Sequence, residues 1–163
     1  MKSKKRIIKI VILFLLLLLI FIIKDYNSIK VEGWENFEKA VLNNYSFVKN
    51  VNYDNPRSIS LDIYFYINKD IERDEIEEVF NYTLKYLFME EVFNDFKEMH
   101  KEKHNGYSFG KIYINLVDNT TKEIVYTIFA SSESNGEPNN FDFKEWYISY
   151  KNEPSEKYYQ FTN

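Results

Sequence analysis

The chain has 163 residues with 25 acidic and 21 basic side chains, a net charge of −4, no cysteine and 18% aromatic residues. The missing thiols exclude a disulfide framework and every thiolate mechanism. Six of the 21 Lys/Arg and none of the acids fall in residues 1–24, so the remainder carries 15 basic against 25 acidic groups, a net of −10. That balance disfavours nucleic acid, anionic lipid and polyphosphate surfaces as partners of the larger part.

Residues 7–23, IIKIVILFLLLLLIFII, are interrupted only by Lys9. As a helix they span about 26 Å, against a hydrocarbon core of roughly 30 Å. Lys9 can lay its stem along that core and return its ammonium to the headgroups. A cleaved signal peptide needs a small-residue site, and the following KDYNSIKVEG offers none of the A-x-A form. The stretch therefore reads as a transmembrane signal-anchor, and the lipid bilayer as the first partner of the chain. Lys2, Lys4, Lys5, Arg6 and Lys9 precede or open the span. By the positive-inside rule they hold residues 1–6 in the cytoplasm and send everything after Lys24 across the cell membrane. The Lys-, Asn-, Ile- and Tyr-rich composition fits a bacterial cell surface.

Residues 24–33 read as a polar linker, and residues 34–163 as one extracytoplasmic domain of ordinary size. Trp34, Phe37, Val41 and Tyr45 recur at helical spacing and predict a short amphipathic helix over 34–45. Residues 47–53 alternate imperfectly and read as an additional strand, followed by turn chemistry in Asp54, Asn55, Pro56 and Arg57. Residues 58–67 form the clearest strand: Ile59, Leu61, Ile63, Phe65 and Ile67 share one face, and Ser60, Asp62, Tyr64 and Tyr66 the other.

A long helix is predicted from residue 71 or 74 to 103. Its apolar stripe runs from Ile76 through Leu84 and Leu87 to Phe96 and Met99, with a capping pair at Asp74 and Glu77 and a stop at Asn105-Gly106. Its length suggests a bend near residues 89–91. Strands follow at 109–117 and 123–131, joined by a hairpin loop at 118–122. Residues 131–140 form a polar loop, and the last strand lies within 141–151. Tyr158, Tyr159 and Phe161 in the tail are placed to dock on the sheet. The predicted fold class is α+β: a mostly antiparallel sheet of four to five strands packed on one long helix, with a short additional helix.

Two constellations bear on function. His100 and His104, the only histidines, are four apart and share a helix face, as a zinc site requires. Lys101 stands where H-E-x-x-H has its glutamate, Glu102 points elsewhere, and two ligands fall short of three or four. The bland reading is a solvated helix end. Tyr64, Tyr66 and Tyr113 leave the inward face of their strands, and on neighbouring strands they form an aromatic patch suited to binding. No nucleophile elbow or phosphate-binding glycine loop is present, and no cofactor is called for. The sequence thus favours a non-catalytic, membrane-tethered binding or accessory module, engaging another membrane or surface protein. The alternative is a tethered hydrolytic or metal-assisted enzyme around His100 and His104.

The orientation is directly testable. Protease added to intact cells, or to spheroplasts where a wall blocks access, is expected to digest residues 34–163. Full protection of that domain reverses the assignment.

Overall fold

The computed structural model describes residues 31–57, 59–68, 71–133, 137–139, 142–151 and 153–160. The apolar stretch 7–23 and all but the last three residues of the 24–33 linker lie outside them. Among the described residues no helix is long and apolar enough to cross a membrane.

Among the described residues three helices and six strands follow in the order α1 (Trp34–Asn44), β1 (Val48–Arg57), β2 (Ser60–Ile67), α2 (Arg73–Leu87), α3 (Glu90–Lys103), β3 (Lys111–Asp118), β4 (Ile124–Ser131), β5 (Glu145–Tyr150) and β6 (Glu156–Gln160). The strands form one sheet in sequence order. Every neighbouring pair is antiparallel except β2 and β3, which run parallel. A parallel pair needs a crossover, and α2 with α3 supplies it.

The core lies on one side of the sheet. Leu61, Ile63 and Phe65 of β2, Ile112 and Ile114 of β3, and Ile128 and Ala130 of β4 are all fully buried, as is Trp146 of β5. They form one cluster with Phe37 and Val41 of α1, Phe80 and Leu87 of α2, and Phe93 and Phe96 of α3. Alternation at a period of two puts these residues on one face of their strands. Two of the polar groups caught inside bond to backbone carbonyls: Thr83 Oγ1 donates to that of Val79 at 2.7 Å, and Trp146 Nε1 to that of Phe143 at 3.2 Å; the buried Ser60 hydroxyl has no such partner among the described residues.

The predicted long helix is two helices, and the bend expected near residues 89–91 is a full break there. Phe88 and Met89 break the run without any proline or glycine, and Met89 takes an extended conformation (φ −63°, ψ 130°) while standing 52% exposed. In one straight helix Phe88 and Phe93 would point about 140° apart. The break brings their ring centroids to 5.7 Å and aims both at Phe143, at 6.4 and 6.1 Å. Glu90 and Glu91 then sit at the positive end of the new helix. The start of α2 also differs: Glu75 Oε2 accepts the N–H of Glu72 at 3.0 Å, a cap two residues before the expected Asp74 and Glu77 pair. The Asn105-Gly106 stop stands where expected, both residues at positive φ.

Two further expectations are corrected. Residues 54–57 belong to β1 rather than to a turn, because β1 pairs with β2 as far as Arg57 opposite Ser60; Ile59 falls in the tight reversal and is 50% exposed. The tail does more than dock. Residues 156–160 pair with β5 as a sixth strand, one beyond the upper expectation, and Tyr158 and Tyr159 pack their rings against Phe80 at 5.2 and 5.7 Å.

The end of the predicted linker is built into the domain. Val31 is buried, the Glu32 N–H donates to Asp95 Oδ2 at 2.8 Å, and the Tyr86 hydroxyl donates to the Glu32 carbonyl at 3.0 Å. Burial, then the neighbouring Tyr53 and Asp95, hold the Tyr86 phenol well above its usual range, so it remains a donor. Gly33 takes φ 68° immediately before α1, a left-handed conformation that side chains disfavour.

These contacts set a measurable contrast. Leu87→Ala in a fragment of residues 31–163 is expected to cost about 2–5 kcal/mol, while Glu78→Ala on the exposed face of α2 stays within roughly 0.5 kcal/mol. Equal, small losses in urea unfolding would mean that this helix face is not the packed one.

Candidate functional site: the second face of the sheet

Placing the helices on one face leaves the other without a helical cover among the described residues. Its side chains are the ones between the core positions: Tyr64 and Tyr66 on β2, Tyr113 on β3, Phe129 on β4 and Tyr147 on β5, all partly exposed. α1 does not lie across them. Its Phe37 packs on the opposite face, against Phe65 at 6.4 Å and Tyr86 at 4.3 Å.

The three tyrosines singled out from the sequence do share this face, on adjacent strands. Asp62 is in register with Tyr113, and Tyr64 with Asn115, so Tyr113 sits diagonal to Tyr64. The ring partner of Tyr113 is Phe129 instead, at 5.9 Å and 31°, and Phe129 in turn meets Tyr147 at 5.7 Å and 26°. The register aligns the three in one row across β3, β4 and β5. Cross-strand aromatic pairs of this kind add about 0.5–1.5 kcal/mol each. Phe129 and Tyr147 were absent from the sequence reading. Outward parity in IVYTIFAS points to Phe129, but Tyr147 was hidden by the uncertain start of β5.

Polar groups frame the rings. The Tyr64 hydroxyl donates to Asp62 Oδ2 at 3.1 Å; burial first, then that carboxylate, push its pKa up to about 12. Thr127 Oγ1 donates to Asn115 Oδ1 at 3.0 Å in the buried middle of the face. At the β5–β6 side, Glu145 accepts from Lys157 Nζ at 2.6 Å and from the Tyr147 hydroxyl at 2.8 Å, and both bonds hold its carboxyl below the usual range. The Lys122 ammonium sits 5.2 Å above the Tyr66 ring. The Tyr64 phenol is held neutral and the Glu145 carboxylate ionised, each with its pKa moved farther from pH 7, the opposite of what acid–base catalysis needs. The face can bind through apolar rings and hydrogen-bonding tips.

The histidine pair takes a different place. The rings of His100 and His104 do approach, with centroids 4.4 Å apart. His100 is fully buried, which corrects the solvated helix end expected of it. Its Nδ1 lies 2.8 Å from the Tyr107 carbonyl, and so donates to it, while Phe109 packs edge-on at 5.6 Å. It ties the end of α3 to the segment entering β3. Among the described residues, no three His, Asp or Glu side chains form a group able to hold a metal ion.

No protein-family model matches this chain, and neither the curated proteins nor the solved structures yield a match. The functional reading rests on the geometry.

The histidine assignment has its own test. His100→Ala is expected to destabilise the 31–163 fragment by about 1–3 kcal/mol through the lost buried hydrogen bond alone, with excess zinc leaving the wild-type melting temperature unchanged. A metal site would instead stabilise by about 2.7 kcal/mol at a hundredfold excess over Kd, and such a shift would reinstate the pair as ligands.

Proposed function

We propose that this chain is a non-catalytic binding or accessory module, tethered through residues 7–23 to the outer side of a bacterial cytoplasmic membrane. In this reading it engages another membrane or surface protein through the second face of its sheet. Tyr64, Tyr66 and Tyr113, joined by Phe129 and Tyr147, form the contact surface. The observation that carries the proposal is the row of partly exposed rings on a sheet face that no described helix covers. Large aromatic side chains on a rigid support lose little entropy on binding and are the usual anchors of protein interfaces.

The enzyme alternative around His100 and His104 has less support, because the His100 side chain is fully buried at the end of α3, away from any substrate in solution. The membrane tether rests on the apolar run and on the basic residues before it. The partner is accordingly sought in the same membrane or at the surface beside it.

Cross-linking and pull-down from native membranes, with wild type and a Tyr64→Ser/Tyr66→Ser variant, tests this reading. The double variant is expected to keep its fold by circular dichroism and to bind the captured partner at least about thirtyfold more weakly, the loss of one strong anchor. Undiminished capture by the folded variant would remove the tyrosines from the interface, and a variant that unfolds would place them in the core.

A further inference from the structure

Strand β1 forms one edge of the sheet, and beside it lies a hollow of about 440 Å³ lined by Trp34, Asn52, Tyr53, Asp54, Tyr64 and Tyr66. Four of these side chains are aromatic and one is a carboxylate. Asn52 and Asp54 are exposed on β1 and stand in register with Tyr64 and Asp62 on β2, so a second carboxylate borders the hollow. Trp34 meets Tyr53 edge to face at 4.6 Å, which fixes the aromatic wall nearest α1.

Rings with negatively polarised faces, set beside carboxylates, favour cations. The chain's own lysines already gather around this hollow. Lys122 places its ammonium over the Tyr66 ring, and Lys103 Nζ comes within 3.8 Å of Asp54 Oδ1 with both side chains well exposed. The field at Tyr64 has the same sign: after burial, Asp62 and Asp54 both raise its phenol. The excess of ten acids over bases in residues 25–163 draws cations to the domain in general, and the hollow supplies a place where shape and hydrogen bonding add to that attraction.

We propose that this hollow receives a basic side chain, a lysine ammonium or an arginine guanidinium, from the protein that docks on the sheet face. The proposal rests on the reading that Tyr64 and Tyr66 belong to the docking surface, and it names the chemistry that the partner presents there. A primary ammonium or guanidinium uses the acceptors that line the hollow, namely the Asp54 carboxylate, the Asn52 amide oxygen and the lone pairs of the Tyr64 hydroxyl. A quaternary ammonium has no N–H to offer them. Sugar is a poorer fit to the adjoining face, because Tyr113, Phe129 and Tyr147 turn their ring faces towards one another across the strands.

The two tryptophans provide the readout: Trp146 is fully buried, whereas Trp34 is partly exposed and lines the hollow. Full-length protein in detergent micelles is titrated with tetralysine, tetraarginine, tetraglutamate and tetramethylammonium at constant ionic strength. Tetralysine and tetraarginine are expected to change the emission saturably, the other two probes are not, and Trp34→Phe removes the response. Asp54→Asn should weaken tetralysine roughly tenfold, as expected for loss of one charge-assisted contact. Asn52→Asp, which adds a carboxylate at an exposed position, should tighten it. Glu91→Gln, exposed on α3 and outside the hollow, should leave it unchanged.

Equal weakening by Asp54→Asn and Glu91→Gln would reduce the effect to diffuse charge attraction and overturn the proposal. So would tetramethylammonium binding as tightly as tetralysine. The docking reading fails separately. Should Tyr64→Ser/Tyr66→Ser keep its captured partner while wild type still binds tetralysine through Asp54, the hollow stands without the docking face. Loss of the partner in that variant, with no tetralysine binding by wild type, would overturn the hollow alone.

Discussion

β2 and β3 lie side by side and parallel, so the chain must leave one end of β2 and return to the opposite end before β3 can pair. That requirement governs the rest of the molecule. The returning segment is α2 and α3, and a crossover made of amphipathic helices must bury its apolar stripe on the sheet it crosses. Leu87, Phe93 and Phe96 therefore fall on the face that already holds Leu61, Ile63, Ile112 and Ile114. α1 adds Phe37 and Val41 to the same side. One face of a six-stranded sheet thus takes all three described helices, and among the described residues the second face is left to side chains that tolerate both a neighbour and water.

Tyrosine and threonine meet that demand, since strand preference alone favours both on a half-buried sheet face. The same composition is what the proposed binding surface requires. A phenol held neutral beside Asp62 offers an apolar ring and a polar tip together. The row from Tyr113 to Tyr147 is rigid because each ring is braced by the next across the strands. Near the β1 edge the character changes from apolar to acidic and aromatic, where Asp54 joins Trp34, Tyr53, Tyr64 and Tyr66 around the hollow.

The first described residues constrain how the domain is carried. Val31 to Gly33 are fastened to α2 and α3 through Tyr86 and Asp95, which leaves residues 24–30 between the apolar run and the first fastened position. Seven residues reach at most about 25 Å. Were residues 7–23 to lie in a bilayer, as proposed, that reach would hold the domain close to the membrane surface, beside a partner of the kind proposed.

The sequence by itself determined the elements and their faces wherever a period was clean. The alternation of Leu61, Ile63 and Phe65 sent Tyr64 and Tyr66 outward, and the stripe from Ile76 to Met99 assigned the buried side of the helical segment. These are local properties, fixed by backbone geometry within a few residues. Tertiary structure decided what depended on distant partners. The bend that helix length suggested near residues 89–91 is a full break at Phe88 and Met89, where two phenylalanines converge on Phe143, some fifty residues away. Residues 156–160 become a strand because β5 offers them a free edge. His100 is buried because Phe109 and the Tyr107 carbonyl close over the end of α3. The ring row of Tyr113, Phe129 and Tyr147 exists only through strand register, and the hollow at Trp34 and Asp54 only through the approach of α1 to the sheet edge. Most of these contacts join residues farther apart than a sequence window reaches, and the His100 contacts within one follow no helix or strand period, so periodicity has nothing to read there.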